Sequence, residues 1–247
     1  MRAHSIAFAL SFALALAGCG DGGGEANEAA PAAPAPLTQL PAPNGGDWTQ
    51  VVNVTPAGGH VIGNPDAPVK LVEYGSLTCP VCGAFSREAT PSLRDTYVRS
   101  GQVSWEFRHL LVHGAPDVVL AMLADCQPPA AFFRTIEQIY EQQAEIVGAV
   151  DETEQQRLQA SPPEQRIAPL ARAMDLDAFF ARRGMPESRF NQCLADRAAA
   201  ERLAQASDRA LREESVNATP TFLINGERQD VTAWSALEPR LQSALGR

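Results

Sequence analysis

The stretch VKLVEYGSLTCPVCGAF, residues 69–85, carries an apolar, valine-rich run into two cysteines two residues apart. Residues 69–74 read as a short central strand, since a run with few polar breaks suits a strand covered on both faces. Cys79 falls where a helix should begin. Pro80 suits the first helical position, where its missing N–H would have no intrahelical partner. Helical spacing continues to residue 100, with a kink expected at Pro91. Residues 102–111, QVSWEFRHLL, read as the next strand. Strand, helix and strand in that order predict a βαβ unit with a parallel pair.

Cys79-Pro80-Val81-Cys82 admits three readings. A zinc half-site needs a second pair of Cys or His at short spacing. The candidates left are Cys126, Cys193, His60, His109 and His113, and none repeats the CxxC pattern. His109 and His113 are four apart on a strand and loop, where that spacing does not converge. An inert staple across four residues would close too small a ring to restrict the unfolded chain much. The reactive reading has a physical cause. A cysteine at a helix N-terminus faces unpaired backbone N–H groups and the positive end of the dipole, which both stabilise a thiolate. Cys79 is therefore expected to have a depressed pKa and to be the exchanging sulfur. Cys82, one turn further in, would be the shielded, resolving thiol.

The remaining chain frames this unit. Residues 48–54 alternate enough for a first strand, and GGHVIGNPDAP, residues 58–68, reads as a loop. Residues 116–216 are almost wholly helix-like, too long for a crossover, and read as an inserted helical subdomain. ATPTFLING, residues 218–226, reads as a strand ending in an Asn-Gly turn, followed by a short partner strand near 228–231 and a last helix over 233–246. Pro220 opens that strand, either through a cis Thr219–Pro220 bond that turns the chain sharply or as a trans proline on an edge strand.

The 247-residue length suits one large domain with an insertion, and the net charge of −9 argues against nucleic acid as a partner. Arg2 and His4 precede an apolar run, residues 5–18, that is short for a membrane span and ends in small residues, as an export signal does. Ala15-Leu16-Ala17 offers a cleavage site, and the overlapping Leu16-Ala17-Gly18-Cys19 reads as a lipobox that would make Cys19 the acylated mature N-terminus. Residues 20–46 are rich in Ala, Pro and Gly and hold little to bury, so they read as a disordered tether.

VKLVEYGSLTCPVC, WEFRHLLVHG and NATPTFLINGE together resemble the DsbA-like branch of the thioredoxin-fold family, from about residue 48 to the C-terminus. The resemblance implies an α/β thioredoxin fold with a large inserted helical subdomain, in which the dithiol and a cis proline meet. It implies a redox-active disulfide between the catalytic Cys79 and Cys82. It also implies that Thr219 pairs with extended substrate backbone and that Pro220 keeps intruders from the sulfurs. Glu73 falls where relatives carry an acidic residue beneath the site, with a solvent-facing edge position as the alternative. One departure stands out: the dipeptide is Pro-Val rather than Pro-His, so a side-chain donor to the Cys79 thiolate is missing.

With Cys19 assigned to lipid and Cys79 to Cys82, the fourth and fifth cysteines remain. Cys126 and Cys193 are expected to form a structural disulfide, an even remainder being usual in an oxidising compartment. Two packed thiols are the alternative. The expectation is thus a signal peptide over 1–18, a lipidated Cys19 and linker over 19–46, and a DsbA-like domain over 47–247 with its insertion at about 116–216. Its function would be thiol:disulfide interchange in exported, cysteine-containing client proteins, in the oxidase direction. A reductase or isomerase on the same dithiol, or a redox-inert chaperone, are the alternatives. No cofactor, metal or nucleic acid is expected. The chain would be a monomer, reset by an unidentified redox partner, and held in the cell envelope by a lipid anchor, facing the periplasm. Gly20, where some inner-membrane lipoproteins carry Asp, points to the outer membrane.

Overall fold

The computed structural model describes residues 37–162 and 165–247; the export segment, Cys19 and the first part of the tether lie outside them. Six strands form one sheet in the order β1-β2-β4-β3-β5-β6: β1 (Val52–Val54), β2 (His60–Ile62), β3 (Val69–Gly75), β4 (Val103–His109), β5 (Thr221–Ile224) and β6 (Glu227–Gln229). β3 and β4 are parallel, from Val69 opposite Val103 to Gly75 opposite His109, and every other pair is antiparallel. β3 therefore lies near the middle of the sheet, and its carboxyl end delivers the chain to Cys79.

α1 (Pro80–Ser92) crosses from β3 to β4. Cys82, Phe85, Ser86, Ala89 and Thr90 are buried, a three-and-four spacing that lays one helical face on the sheet. Phe85 stacks obliquely on Phe222 of β5 with ring centroids 4.5 Å apart. It also meets Trp234 of the last helix, α10 (Trp234–Ala244). Pro91 cannot donate to the turn before it, and the helix widens into a π segment, Leu93–Val98, closed by Arg99 N–H to Arg94 carbonyl at 3.0 Å.

Between β4 and β5 the chain forms eight α-helices among the described residues. They are α2 (Ala115–Asp125), α3 (Phe132–Glu141), α4 (Gln143–Gly148), α5 (Glu152–Ala160), α6 (Ile167–Ala173), α7 (Leu176–Ala181), α8 (Glu187–Ala195) and α9 (Arg197–Arg212). No helix among the described residues is long and apolar enough to cross a membrane.

Three expectations need correction. Residues 48–50 form a short 3₁₀ turn, because the Asp47 carboxylate accepts from Thr49 N–H at 2.8 Å, and only Val52–Val54 is strand. The segment expected as a loop contains β2, whose His60 and Ile62 turn inward against β4. The tether expected through residue 46 is docked from residue 37 onward. Leu40 N–H bonds Ser100 carbonyl at 2.8 Å, and the Trp48 indole donates to Leu40 carbonyl at 3.0 Å.

Candidate active site

Cys79 is the N-cap of α1, with extended backbone and no side-chain cap of its own. Its sulfur therefore faces the unpaired N–H groups of the first turn. Pro80 directly after it fixes the entry angle without wasting a donor. Both Cys79 and Cys82 are free thiols, 6% and 0% exposed, so the outer sulfur is the one a partner can reach.

The Thr219–Pro220 bond is cis. The Thr219 carbonyl lies 3.4 Å from Cys79 Sγ, where it accepts from the thiol. The corner leads directly into β5, an interior strand paired with β3, so the edge-strand alternative for Pro220 does not hold.

The two thiols are driven apart. A hydrogen bond from the Cys82 thiol is the main stabiliser of a Cys79 thiolate. Burial opposes it, and the Thr219 side chain and the N–H groups of Cys82 and Val81 add to it, bringing Cys79 down to about 5. Burial first, then the hydrogen bond to Cys79 and the charge of Glu73, push the Cys82 thiol far above its ordinary range. Glu73 itself is 1% exposed on the central strand, not at a solvent-facing edge. Burial raises its carboxyl to about 8, against a hydrogen bond from the Trp105 indole at 3.1 Å.

Residues that sequence reasoning passed over hold the connection from β3 to Cys79. Asp117, in the first turn of α2 and 1% exposed, accepts from Ser76 hydroxyl at 2.8 Å, Thr78 hydroxyl at 2.8 Å and Thr78 N–H at 3.2 Å. The His113 N–H reaches its other oxygen at 2.9 Å. His113, weighed from sequence only as a metal ligand, sets Nδ1 2.9 Å from Thr78 Oγ1. Gln143 of α4 donates to the carbonyls of Leu77 and Cys79 at 2.9 and 3.0 Å. It reaches them across Gly83, where a Cβ would strike its amide. The Tyr140 hydroxyl donates to Ser76 carbonyl at 3.2 Å. An acidic residue in a first helical turn ordinarily reads as a surface cap, and nothing in the polar run around Gln143 marks it out.

Cys126, at the C-cap of α2, is bonded to Cys193 of α8, 67 residues away, with their Cα atoms 6.0 Å apart. His60 and His109 do not join the dithiol. They gather at Asp125 on the helical side, with His109 Nε2 3.0 Å from its carboxylate and the His60 ring stacked on Phe132.

A family model described as Thioredoxin matches residues 55–242. This chain belongs to the thioredoxin family. Over 77% of its length it matches 98% of the crystallised protein-disulfide isomerase from Novosphingobium aromaticivorans, at 31% identity and a TM-score of 0.72. Disulfide bond formation protein D of Bacillus subtilis is 29% identical over 89 residues, 35% of this chain and 40% of that protein. The Na(+)/H(+) antiporter NhaA 1 of Salinispora arenicola is 30% identical over 181 residues, 72% of this chain but 23% of the antiporter. The chain thus spans about a quarter of that curated relative and less than half of the Bacillus protein. Its homology and structural match run to disulfide oxidoreductases. Like them, this thioredoxin-family chain is a thioredoxin-fold core with an inserted helical subdomain, DsbA-like in architecture.

Proposed function

We propose that this chain is an exported thiol:disulfide oxidoreductase acting on cysteine-containing client proteins, in the oxidase direction. The observation that carries the reading is Cys79 at the N-cap of α1 with its sulfur against Thr219 and the fully buried Cys82 behind it. In the oxidised protein a client thiolate attacks Cys79, forming a client–Cys79 bond as the Cys79–Cys82 bond breaks. Cys82 leaves as a thiolate and takes up a proton, for which Glu73 is the nearby buried acid. A second client thiolate then attacks the client sulfur and expels Cys79 as a thiolate. The client gains one disulfide and the enzyme becomes a dithiol, to be reoxidised by a redox partner. A low leaving-group pKa speeds the last step, and a stabilised Cys79 thiolate favours the reduced enzyme and hence client oxidation.

Isomerisation on the same dithiol is the second reading, supported by the name of the Novosphingobium protein. Refolding of a reduced, unfolded test protein separates the two. An oxidase in stoichiometric disulfide form introduces disulfides directly, whereas an isomerase accelerates only the rescue of scrambled protein. A reduced enzyme whose Cys79 resists alkylation at mildly acidic pH would remove both readings and leave a redox-inert chaperone.

The envelope location forms part of the same proposal, with Cys19 as the acylated residue. Cys19→Ala is expected to abolish lipid labelling and to release the protein from membranes or leave it uncleaved. More than one acyl chain holds a protein stably where a single chain is marginal. A freely soluble mature protein beginning at Gly18 would remove the anchor from the reading.

A further inference from the structure

The peptide that enters the dithiol, residues 76–78, is held by the helical insertion more than by its own core. Asp117 gathers four donors on a buried carboxylate: both hydroxyls of Ser76 and Thr78, Thr78 N–H and His113 N–H. Hydrogen bonds to a charged acceptor are roughly twice as strong as neutral ones. Both hydroxyls spend their hydrogens on Asp117, so the contacts of His113 Nδ1 with Thr78 Oγ1 (2.9 Å) and Ser76 Oγ (3.1 Å) require the imidazole to be the donor. That fixes His113 as the Nδ1–H form and leaves Nε2 outside the network. The next residue after Thr78 is Cys79, whose own N–H bonds Ser76 carbonyl at 3.2 Å.

We infer that Asp117 is a positioning residue for the reactive thiol: by clamping Ser76 and Thr78, it holds Cys79 Sγ within reach of the donors that stabilise its thiolate. The inference rests on the dithiol reading above. Those donors are the Cys82 thiol, the Thr219 side chain and the N–H groups of Val81 and Cys82, and hydrogen bonds weaken steeply once misaligned. Asp117→Asn keeps the shape but puts an amide NH₂ where a carboxylate oxygen met a donor, so at least one of the four bonds is lost. Thr78→Val removes one hydroxyl from the same carboxylate and leaves Asp117 in place.

The experiment titrates Cys79 by thiolate absorbance and equilibrates the purified full chain against glutathione, for wild type, Asp117→Asn and Thr78→Val. Asp117→Asn is expected to raise the Cys79 pKa by about one unit, a tenfold weaker acid. Its equilibrium constant for reduction should fall about tenfold, about 30 mV for this two-electron couple. Thr78→Val should move both in the same direction by less. A Cys79 pKa that falls in Asp117→Asn would mean the carboxylate acts only as a nearby negative charge, and the inference is overturned. An unmoved pKa with a lowered Tm would mean that Asp117 only caps α2, and overturns it too. If Asp117→Asn does not fold, Thr78→Val and Ser76→Ala decide alone, and unmoved titrations in both count against the inference. A wild-type Cys79 that titrates as an ordinary thiol brings down the proposed function and this inference together, whereas a low wild-type value with unmoved variants brings down this inference alone.

Discussion

The chain holds two cysteine pairs at opposite kinds of helix end. Cys79 sits at the N-cap of α1, where backbone N–H groups and the positive end of the dipole favour a thiolate. Cys126 sits at the C-cap of α2 and Cys193 in the last turn of α8, where unpaired carbonyls and the negative end of the dipole disfavour one. The first pair is free and three residues apart; the second is bonded across 67 residues. The helix end a sulfur occupies, together with the Cys82 thiol that donates to Cys79, sets the pairs apart, and burial does not, since Cys79 and Cys193 are both buried.

Disabling each pair in turn is the harshest test of that contrast. Cys79→Ser is expected to abolish thiol exchange with a model disulfide. Cys126→Ala with Cys193→Ala should retain exchange within a few-fold while losing about 4 kcal/mol of stability, the loop-closure contribution expected for a bridge of this span. Denaturant unfolding and a turnover assay on the same samples measure both. A double variant that lost exchange but kept its stability would break the comparison.

The pH dependence of stability sharpens it. In the reduced protein Cys79 is depressed from 9.0 to about 5, so it contributes stability that is present above pH 9 and lost as pH falls through 5. Glu73 is raised from 4.5 to about 8, so its contribution is present below pH 4.5 and lost as pH rises through 8. The two slopes oppose each other between pH 5 and 8. Removing one exposes the other: Cys79→Ser should lose stability with rising pH in that range, and Glu73→Gln should gain it. Unfolding free energies at several pH values read out both signs.

The smallest expected effect concerns Val81, 46% exposed between the two cysteines. Val81→His adds a donor beside the first turn and should lower the Cys79 pKa further, by less than one unit, making the protein more oxidising. The wild-type potential is expected between about −270 and −120 mV, the values of thioredoxin and DsbA. A potential that Val81→His leaves in place would mean the backbone donors already saturate the thiolate.

The strand–helix unit around Cys79 was readable because its signals are local: a valine-rich run, a proline at the first helical position and a helical spacing after it. Pro220 stood out because a proline opening a strand is unusual in itself, whereas Thr219 was reached only through the resemblance to DsbA-like proteins. β2 could not be picked out, since glycines, Asn64 and Pro65 frame it and its existence depends on pairing with β4, more than forty residues away in sequence, as in Ile62 opposite Trp105. Asp117 and Gln143 were hidden for a related reason. Each looks like an ordinary polar position on a surface helix until the insertion folds back and buries it against residues 76–79. Docking of residues 37–46 likewise depends on distant partners, Ser100 and Gln102, that composition alone does not reveal.

That docking has a geometric consequence. Leu40 is bound to Ser100, just before β4 begins, while Cys79 follows the far end of β3, which runs parallel to β4. Seven-residue strands separate those two levels by roughly 20 Å. The body is therefore polarised like a torch held by its base: the docked segment lies at one pole and Cys79 at the other.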